Sequence, residues 1–225
     1  MDGSAPPAGA FERLVPTPEP LAAGAGLIGP NAVTQLGHAM RDRLGEAAAR
    51  RLFLRGGCPG LLDDPPERMI DQRVPIALFR ALWRHWPAAD ARIVSGDAGL
   101  RVADYVIANR IPRPAQAVLR LLPAGLACDL LMVAIKRHAW TFAGSGRCEI
   151  RHRPVRLISI SDNPMAMPDC IWHAAVLSRL FTRLAAPRST VRQIACCRTG
   201  APACVFEIAP SGARDGGGEG PWSTA

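Results

Sequence analysis

The hydrophobic pattern of the chain changes its period at Gly144-Ser145-Gly146, and this change constrains the fold most. Before these residues apolar side chains recur every three or four positions, as at Val33 and Leu36, which is the spacing of one helix face. After them, Cys148 and Ile150 alternate with charged residues, which is the two-residue period of a strand. Helices followed by strands with short turns predict an α+β fold, in which a helical N-terminal part precedes a mostly antiparallel sheet with packed helices.

Glycine, proline and capping residues set the expected element boundaries. The predicted helices run from Val33 to Leu44, Ala47 to Leu54, Pro75 to Trp86, Asp90 to Asn109, Ala115 to Thr141 with a break at Pro123, and Asp169 to Leu184. The segment from Asp63 to Glu67 carries acidic caps followed by prolines, which also predicts a helix start. The predicted strands cover 148–152, 157–160, 190–197 and 203–208.

The two ends of the chain differ in composition from its middle. Residues 1–25 are rich in Ala, Pro and Gly without any period, and we predict a disordered leader there. Residues 210–225 contain a run of three glycines and are predicted to be a disordered tail. Between them, 26–209 shows no internal repeat and no linker, and with 48% hydrophobic residues overall a single ligand-binding domain is expected.

The net charge of +8 raises the question of nucleic acid, but the charge is spread along the chain. No basic run is interleaved with aromatic residues, so nucleic-acid binding is not expected. Some arginines could instead contact an anionic membrane surface. The most apolar stretch, 115–135, is interrupted by Arg120, Pro123 and Asp129, so no transmembrane segment is predicted. The first residues show no secretory pattern, which predicts a cytoplasmic protein with reduced cysteines.

Three cysteines carry the sharpest chemical pattern. Cys196 and Cys204 lie at equal distances in sequence from Gly200, so a hairpin centred there places them opposite each other. Opposed Cα atoms in an antiparallel pair are about 4.5–5.5 Å apart, which suits two thiolates on one ion. Cys170 follows Asp169 in the first turn of the preceding predicted helix, where the helix dipole favours a thiolate. Three sulfurs suit Zn²⁺, which prefers four ligands.

The fourth ligand stays open at this point. Cys197 and Gln193 both point away from Cys196 in a regular strand, unless a bulge intervenes near Gln193. The alternative is that the cysteines are small buried hydrophobic residues, as free cysteines often are. We assign Cys58, Cys128 and Cys148 to that alternative.

Several segments resemble the vinyl-4-reductase domain family. The run from Ile194 to Ile208 resembles its C-terminal signature, and Gly29 to Val33 resembles its N-terminal opening. Trp140 to Gly146 and Cys170 to His173 fit its middle. Together these matches extend from about Leu27 to Ile208, and the Trp-rich middle is most similar to the family's branch in bacteriochlorophyll synthesis.

The resemblance implies a fold similar to the transport-particle and NO-signalling ligand-binding fold. Relatives that sense phenols hold zinc with three cysteines and a glutamate. Their cysteine positions fall on Cys170, Cys196 and Cys204, whereas the glutamate position falls on Gln193. A neutral amide is a poor zinc ligand, so the chain departs from the family at this position. The resemblance therefore implies a structural zinc with a weaker or water-completed fourth position.

The resemblance also implies a function in bacteriochlorophyll synthesis. No Gly-x-Gly-x-x-Gly follows a predicted strand, so no nicotinamide or flavin motif is present to supply a hydride. We therefore expect a protein that binds a Mg-tetrapyrrole of the divinyl protochlorophyllide type and assists its vinyl reduction or delivery. The alternatives are a genuine 4-vinyl (8-vinyl) reductase and a small-molecule sensor acting through a partner protein. Other bacteriochlorophyll-synthesis enzymes are the expected partners, at the periphery of the photosynthetic membrane.

Such a ligand needs apolar walls, a group near its magnesium and a cation for its propionate. Trp140, Phe142 and Trp172 are the candidates for ring-stacking walls, and His138 and His173 are candidates for approaching the magnesium. His152 is a further histidine candidate, and the exposed arginines of its strand, Arg147, Arg151 and Arg153, could meet a carboxylate. The alternative for each is ordinary packing, hydrogen bonding or solvation. No catalytic residue is assigned.

Overall fold

The computed structural model describes residues 26–210, so residues 1–25 of the predicted leader and 211–225 of the predicted tail lie outside the described range. The α-helices in this range are α1 (Asn31–Leu44), α2 (Glu46–Arg55), α3 (Arg73–His85), α4 (Ala88–Asn109), α5 (Arg113–Leu121), α6 (Ala124–Arg137) and α7 (Ile171–Leu184). The strands are β1 (Leu27–Ile28), β2 (Ile70–Asp71), β3 (Arg147–Arg151), β4 (Arg156–Ser161), β5 (Thr190–Ala195) and β6 (Ala203–Ala209). The predicted α+β class is confirmed.

Most helix boundaries follow the predicted punctuation. Helix α1 ends at Gly45, whose φ of 85° is a conformation that glycine adopts without strain. The long segment after residue 112 is divided at Pro123 into α5 and α6, since Pro lacks the N–H that would continue the helix.

The predicted helix start between Asp63 and Glu67 is wrong. The chain forms a short 3₁₀ turn at Pro59–Leu62, continues without a helix, and then adds β2, which pairs with β1. Asp63 accepts hydrogen bonds from Arg41 and Arg50 instead of capping a helix. Its carboxylate therefore ties the turn to α1 and α2, and the next helix begins at Arg73.

The four-stranded sheet has the order β3-β4-β6-β5 and is antiparallel throughout. Ile158 pairs with Phe206 and Ile160 pairs with Cys204, so these side chains share one face of the sheet. They are fully buried, because this face packs against the helical layer. The site described below lies at the edge of this layer, where α7 begins.

Helices α4 and α7 pack directly against each other beneath the sheet. Gly99 of α4 lies at the crossing, where an added Cβ would be 2.5 Å from the Trp172 carbonyl oxygen and 2.9 Å from the Ala175 Cβ. The crossing therefore requires glycine because no side chain fits between the two backbones. This contact fixes the height of the start of α7 relative to the core.

The prediction that Asp169 caps the last long helix is also wrong. A short 3₁₀ turn covers Pro168–Cys170, and Asp169 and Cys170 have positive φ values of 54° and 39°. The helix itself begins at Ile171, with Cys170 as its N-terminal flanking residue and no side-chain capping bond. The Asp169 carboxylate instead pairs with Arg92 of α4. Cys170 is thus held just outside the first turn rather than within it.

Candidate metal centre

Three buried cysteine side chains converge where the start of α7 meets the β5–β6 hairpin. The Sγ of Cys170 lies 3.4 Å from the Sγ of Cys196 and 3.2 Å from that of Cys204, and the latter two are 3.9 Å apart. All three cysteines are buried and none forms a disulfide. Sulfurs bound about 2.3 Å from one tetrahedral zinc are about 3.8 Å apart, so the cluster has the dimensions of a three-sulfur zinc site.

The hairpin register explains how Cys196 and Cys204 meet. Ala195 pairs with Val205, so the next residues toward the turn, Cys196 and Cys204, oppose each other as the spacing about Gly200 predicts. Gly200 has a φ of 90°, which the turn requires. The two sulfurs therefore come from neighbouring positions on the buried side of the hairpin.

A bulge in β5 changes the expected position of Gln193. The pairing register shifts between Gln193 and Ala195, so Gln193 pairs with Phe206 on the buried face while Ile194 is exposed. Gln193 therefore shares the sheet face of the cysteines, which a regular strand would not allow. Its amide Nε2 donates to the Ala195 carbonyl oxygen at 3.2 Å.

The surroundings of the cluster favour one thiolate over the others. A hydrogen bond from the Cys170 thiol, together with one from the Cys197 backbone N–H at 3.5 Å, holds the pKa of Cys204 below its usual range despite burial. The same contact with Cys204, together with burial, raises the pKa of Cys170. A bound cation would replace the shared protons and allow all three sulfurs to be deprotonated.

The donor set therefore fits a divalent, sulfur-preferring ion. Three closely spaced buried thiols are the ligands that zinc selects, and an N–H bond to one sulfur is a typical outer contact of such a site. Gln193 is available as a weak fourth donor on the same face. Cys197 stands outside the group that converges within 4.8 Å, with its Sγ near the Ile160 carbonyl oxygen.

Comparisons with known proteins place the cysteine cluster in a family. The model of the vinyl-4-reductase domain matches residues 164–210, a range that contains all three converging cysteines. The bacteriochlorophyll synthase 23 kDa chain of Cereibacter sphaeroides is 42% identical over 195 residues, which cover 82% of this chain and 91% of that protein. The chain belongs to the vinyl-4-reductase domain family. The 23 kDa chain of Rhodobacter capsulatus is 36% identical over 200 residues, covering 83% of this chain and 89% of that protein.

Three of the residues predicted to contact a ligand in this vinyl-4-reductase domain protein form one buried aromatic cluster. Trp172 and His173, at the start of α7, have ring centroids 4.8 Å apart in an edge-on arrangement. Phe142 and Phe206 each lie 6.2 Å from the His173 ring, and Phe79 of α3 lies 6.2 Å from the Trp172 ring. The Trp172 and His173 side chains are buried within the core.

The other predicted ligand residues lie elsewhere. Trp140 is half-buried in the turn after α6 and makes no ring contact with the aromatic cluster in the part of the chain that the structure describes. His138 is half-buried, its Nε2 has no hydrogen-bond partner among these residues, and burial lowers its pKa. The structure therefore does not bring the five candidates into a single pocket.

The strand histidine and the strand arginines have other partners or face solvent. His152 Nδ1 lies 3.1 Å from the Asp129 carboxylate, which also accepts a hydrogen bond from Arg156 at 2.6 Å. Burial alone would raise the pKa of Asp129, but these two partners lower it. This group joins α6 to the sheet. Arg147, Arg151 and Arg153 are exposed, and Arg147 pairs with Asp162 at 3.4 Å.

His173 gives a pH-dependent prediction for stability. Burial lowers its pKa to about 4, against 6.5 for the free side chain, and neither ring nitrogen has a well-aligned hydrogen-bond partner among the described residues. Between these pH values the unfolded chain binds a proton that the folded protein does not bind. Stability is therefore lost as the pH falls from about 6.5 to 4, by about 3 kcal/mol in all.

We expect His173→Phe to remove this loss, because phenylalanine keeps the ring contacts and does not titrate. Urea unfolding of both proteins at several pH values between 7 and 4 measures the effect. The difference between variant and wild type should grow by about 3 kcal/mol toward pH 4. Two curves that stay parallel over this range would show that His173 does not carry the effect.

Sequence reasoning missed a second group of residues. Arg80, Trp83 and Arg84 of α3 share a cleft with the segment Pro164–Pro168 and with Arg198. The helical spacing of Phe79, Arg80, Trp83 and Arg84 was visible in the sequence, but the opposing wall comes from residues about 80 positions later.

Proposed function

We propose that this protein serves bacteriochlorophyll synthesis by binding a Mg-tetrapyrrole intermediate of the divinyl protochlorophyllide type and assisting its vinyl reduction or delivery. The observation that carries the proposal is the similarity to two bacteriochlorophyll synthase 23 kDa chains over most of the length of each protein. Identity of 36–42% over that length supports a shared pathway for the three proteins.

The fold favours a binding role over hydride transfer by the chain itself. Dinucleotide sites of the doubly wound type are built on parallel strands joined by crossover helices. In the described residues both sheets are antiparallel, and the four-stranded sheet contains no such unit. A binding protein would present the pigment to other bacteriochlorophyll-synthesis enzymes, which are the partners we propose.

We further propose that the metal centre holds one structural zinc. Cys170, Cys196 and Cys204 would bind it, with Gln193 or water in the fourth position, and the ion would supply a cross-link between α7 and the hairpin. Two-stranded hairpins are marginal alone, so this cross-link stabilises the end of the sheet. The Cys197 N–H orients the Cys204 sulfur, while burial of all three side chains keeps water from the sulfurs.

The proposed site of action is the periphery of the photosynthetic membrane. Among the described helices, none combines the length and the apolar character needed to cross a bilayer. The formal charge of +8 would favour contact with an anionic lipid surface.

Binding is tested by titrating the purified full-length protein into protochlorophyllide. We expect a saturable shift and sharpening of the Soret band with an affinity in the low micromolar range, corresponding to about −8 kcal/mol. Serum albumin at equal concentration controls for unspecific uptake of an apolar pigment. A spectrum that stays unchanged at micromolar protein would refute the binding role.

The reductase alternative is separated by a turnover assay. Purified protein, divinyl substrate and either a nicotinamide or a reduced flavin are incubated, and the monovinyl product is measured by chromatography. We expect no more product than the no-protein control. Product in reproducible excess over the protein would establish the enzyme and overturn the carrier role.

A further inference from the structure

An open cleft of about 390 Å³ lies between α3 and the segment that leads to the metal centre. This volume falls at the lower end of the range of about 300–1,000 Å³ for small-molecule sites. One wall is a single stripe of α3, because its residues recur at helical spacing: Ile76, Phe79, Arg80, Trp83 and Arg84. The cleft therefore has an aromatic and aliphatic wall with two cations along it.

The opposite wall is apolar and held in place by hydrogen bonds. It consists of Pro164–Pro168, in which Met165 and Met167 are buried. The Met165 N–H donates to Asn163 Oδ1 at 3.0 Å, and the Met167 carbonyl oxygen accepts from the Cys170 N–H at 2.8 Å. Methionine side chains adapt to flat apolar ligands, so this wall suits an aromatic ring.

Three arginines give the cleft its charge. Arg80, Arg84 and Arg198 are exposed, and none has a carboxylate partner within the described range of 26–210. No acidic residue lines the cleft. Asp169, which follows the apolar wall in sequence, is paired with Arg92. The cleft thus has unbalanced positive charge beside an apolar surface.

A smaller cavity elsewhere lacks this combination. It has a volume of about 250 Å³ and is lined by residues of α1, α2 and the turn after them. Its cation Arg41 already pairs with Asp63 at 3.3 Å and with Glu46 at 2.7 Å. Only the cleft on α3, of these two cavities, offers free cations to a ligand.

We propose that this cleft binds the edge of the tetrapyrrole that carries a propionate. The macrocycle edge lies between the Trp83 side of α3 and the methionine wall, and the carboxylate meets Arg80 and Arg84, with Arg198 at the rim. Guanidinium groups form strong charge-assisted hydrogen bonds with carboxylates. The cleft is open, so the opposite edge of the ring stays accessible to another protein. This inference rests on the proposed pigment-binding function and assigns a site to it.

The site differs from the buried aromatic cluster around His173. Trp172 and His173 are 1% and 2% exposed, so a ligand contacting them would have to open the core. The two regions meet at Phe79, which lines the cleft and lies edge-on to Trp172. A pigment in the cleft would therefore lie next to the aromatic cluster without entering the core.

The test compares a ligand with and without its charge. Mg-protoporphyrin and its dimethyl ester are titrated, in the same mild detergent, into the wild type and into the double variant Arg80→Gln/Arg84→Gln. We expect the double variant to bind Mg-protoporphyrin about 10–100-fold more weakly, the loss of one or two charged hydrogen bonds. The ester should bind both proteins equally, because it lacks the carboxylates that the arginines recognise.

A matched double variant controls for the loss of two positive charges. Arg51→Gln/Arg113→Gln removes two exposed arginines outside the cleft and should bind Mg-protoporphyrin as the wild type does. Equal thermal stability of all three proteins shows that folding is unchanged. As a test of the apolar wall, Trp83→Ala should weaken both ligands by a similar factor.

The outcomes separate this inference from the function on which it rests. If the wild type binds neither porphyrin nor protochlorophyllide, the pigment-binding function itself is wrong. If the wild type binds and Arg80→Gln/Arg84→Gln binds equally well, the function stands and the cleft is not its site. An equal loss for the ester and the free acid would also contradict carboxylate recognition by these arginines.

Discussion

Serine in place of Cys204 is expected to abolish zinc binding and to destabilise the protein strongly. Cys204 lies within 4 Å of both other sulfurs and receives the Cys197 N–H, so it joins every part of the centre. An ion present at about a thousand times its dissociation constant contributes about 4 kcal/mol to folding. We therefore expect zinc to fall from one ion per chain to nearly none, with a loss of about 4 kcal/mol in the free energy of unfolding.

The measurements are elemental analysis and chemical unfolding of each purified variant. Cys170→Ser and Cys196→Ser should behave like Cys204→Ser. Cys128→Ser is the matched control, since Cys128 is equally buried but remote from the cluster; it should cost some stability and keep its zinc. Cys197→Ser should also keep zinc. Wild-type protein that is folded and free of zinc would refute the site, and loss of zinc in Cys197→Ser alone would exclude the proposed ligand set.

Alanine in place of Gly99 is expected to destabilise the fold by about 3 kcal/mol, the upper end of the usual cost of overpacking. The added Cβ would stand 2.5 Å from the Trp172 carbonyl oxygen, which is backbone and cannot rotate away. At an exposed helical site the same change would stabilise by up to about 1 kcal/mol, so the sign of the effect reports the packing. Chemical unfolding of the variant measures it.

Gly125→Ala in α6 provides the comparison for the Gly99 variant. Its added Cβ would be 3.1 Å from the Arg156 Nη2, the end of a flexible side chain that can move. We expect its stability to stay within about 1 kcal/mol of the wild type. If Gly99→Ala were as stable as Gly125→Ala, the close crossing of α4 and α7 would be wrong.

The Gly99 contact also connects packing to the metal centre. Helix α7 begins beside Cys170, and its first turn rests on α4 through the Trp172 backbone. A shift of α7 away from α4 would move the Cys170 sulfur relative to the hairpin. The zinc content of Gly99→Ala after mild chelation therefore reports how strongly the core positions this ligand.

The sequence by itself determined the features that depend on neighbouring residues. Gly45 and Pro123 predict helix boundaries because their backbone preferences act locally. The alternation after Gly146 predicts strands, and the spacing about Gly200 predicts that Cys196 and Cys204 face each other, because hairpin register follows from the turn. These local rules account for the fold class and for two of the three converging sulfurs.

The tertiary structure decided the features that depend on distant partners. Asp63 and Asp169 have the composition of helix caps, but arginines of other elements bind their carboxylates, so neither begins a helix. The bulge in β5 places Gln193 on the buried face, which regular strand geometry does not predict.

The arginine cleft likewise exists only where α3 meets segments that follow it by about 80 to 120 residues. Local preferences are worth about 1 kcal/mol per residue or less, so an ion pair or a packing contact from elsewhere in the chain overrides them. The cysteine spacing was local enough to predict, whereas the surroundings of the cysteines and the cleft beside them were set by packing between distant segments.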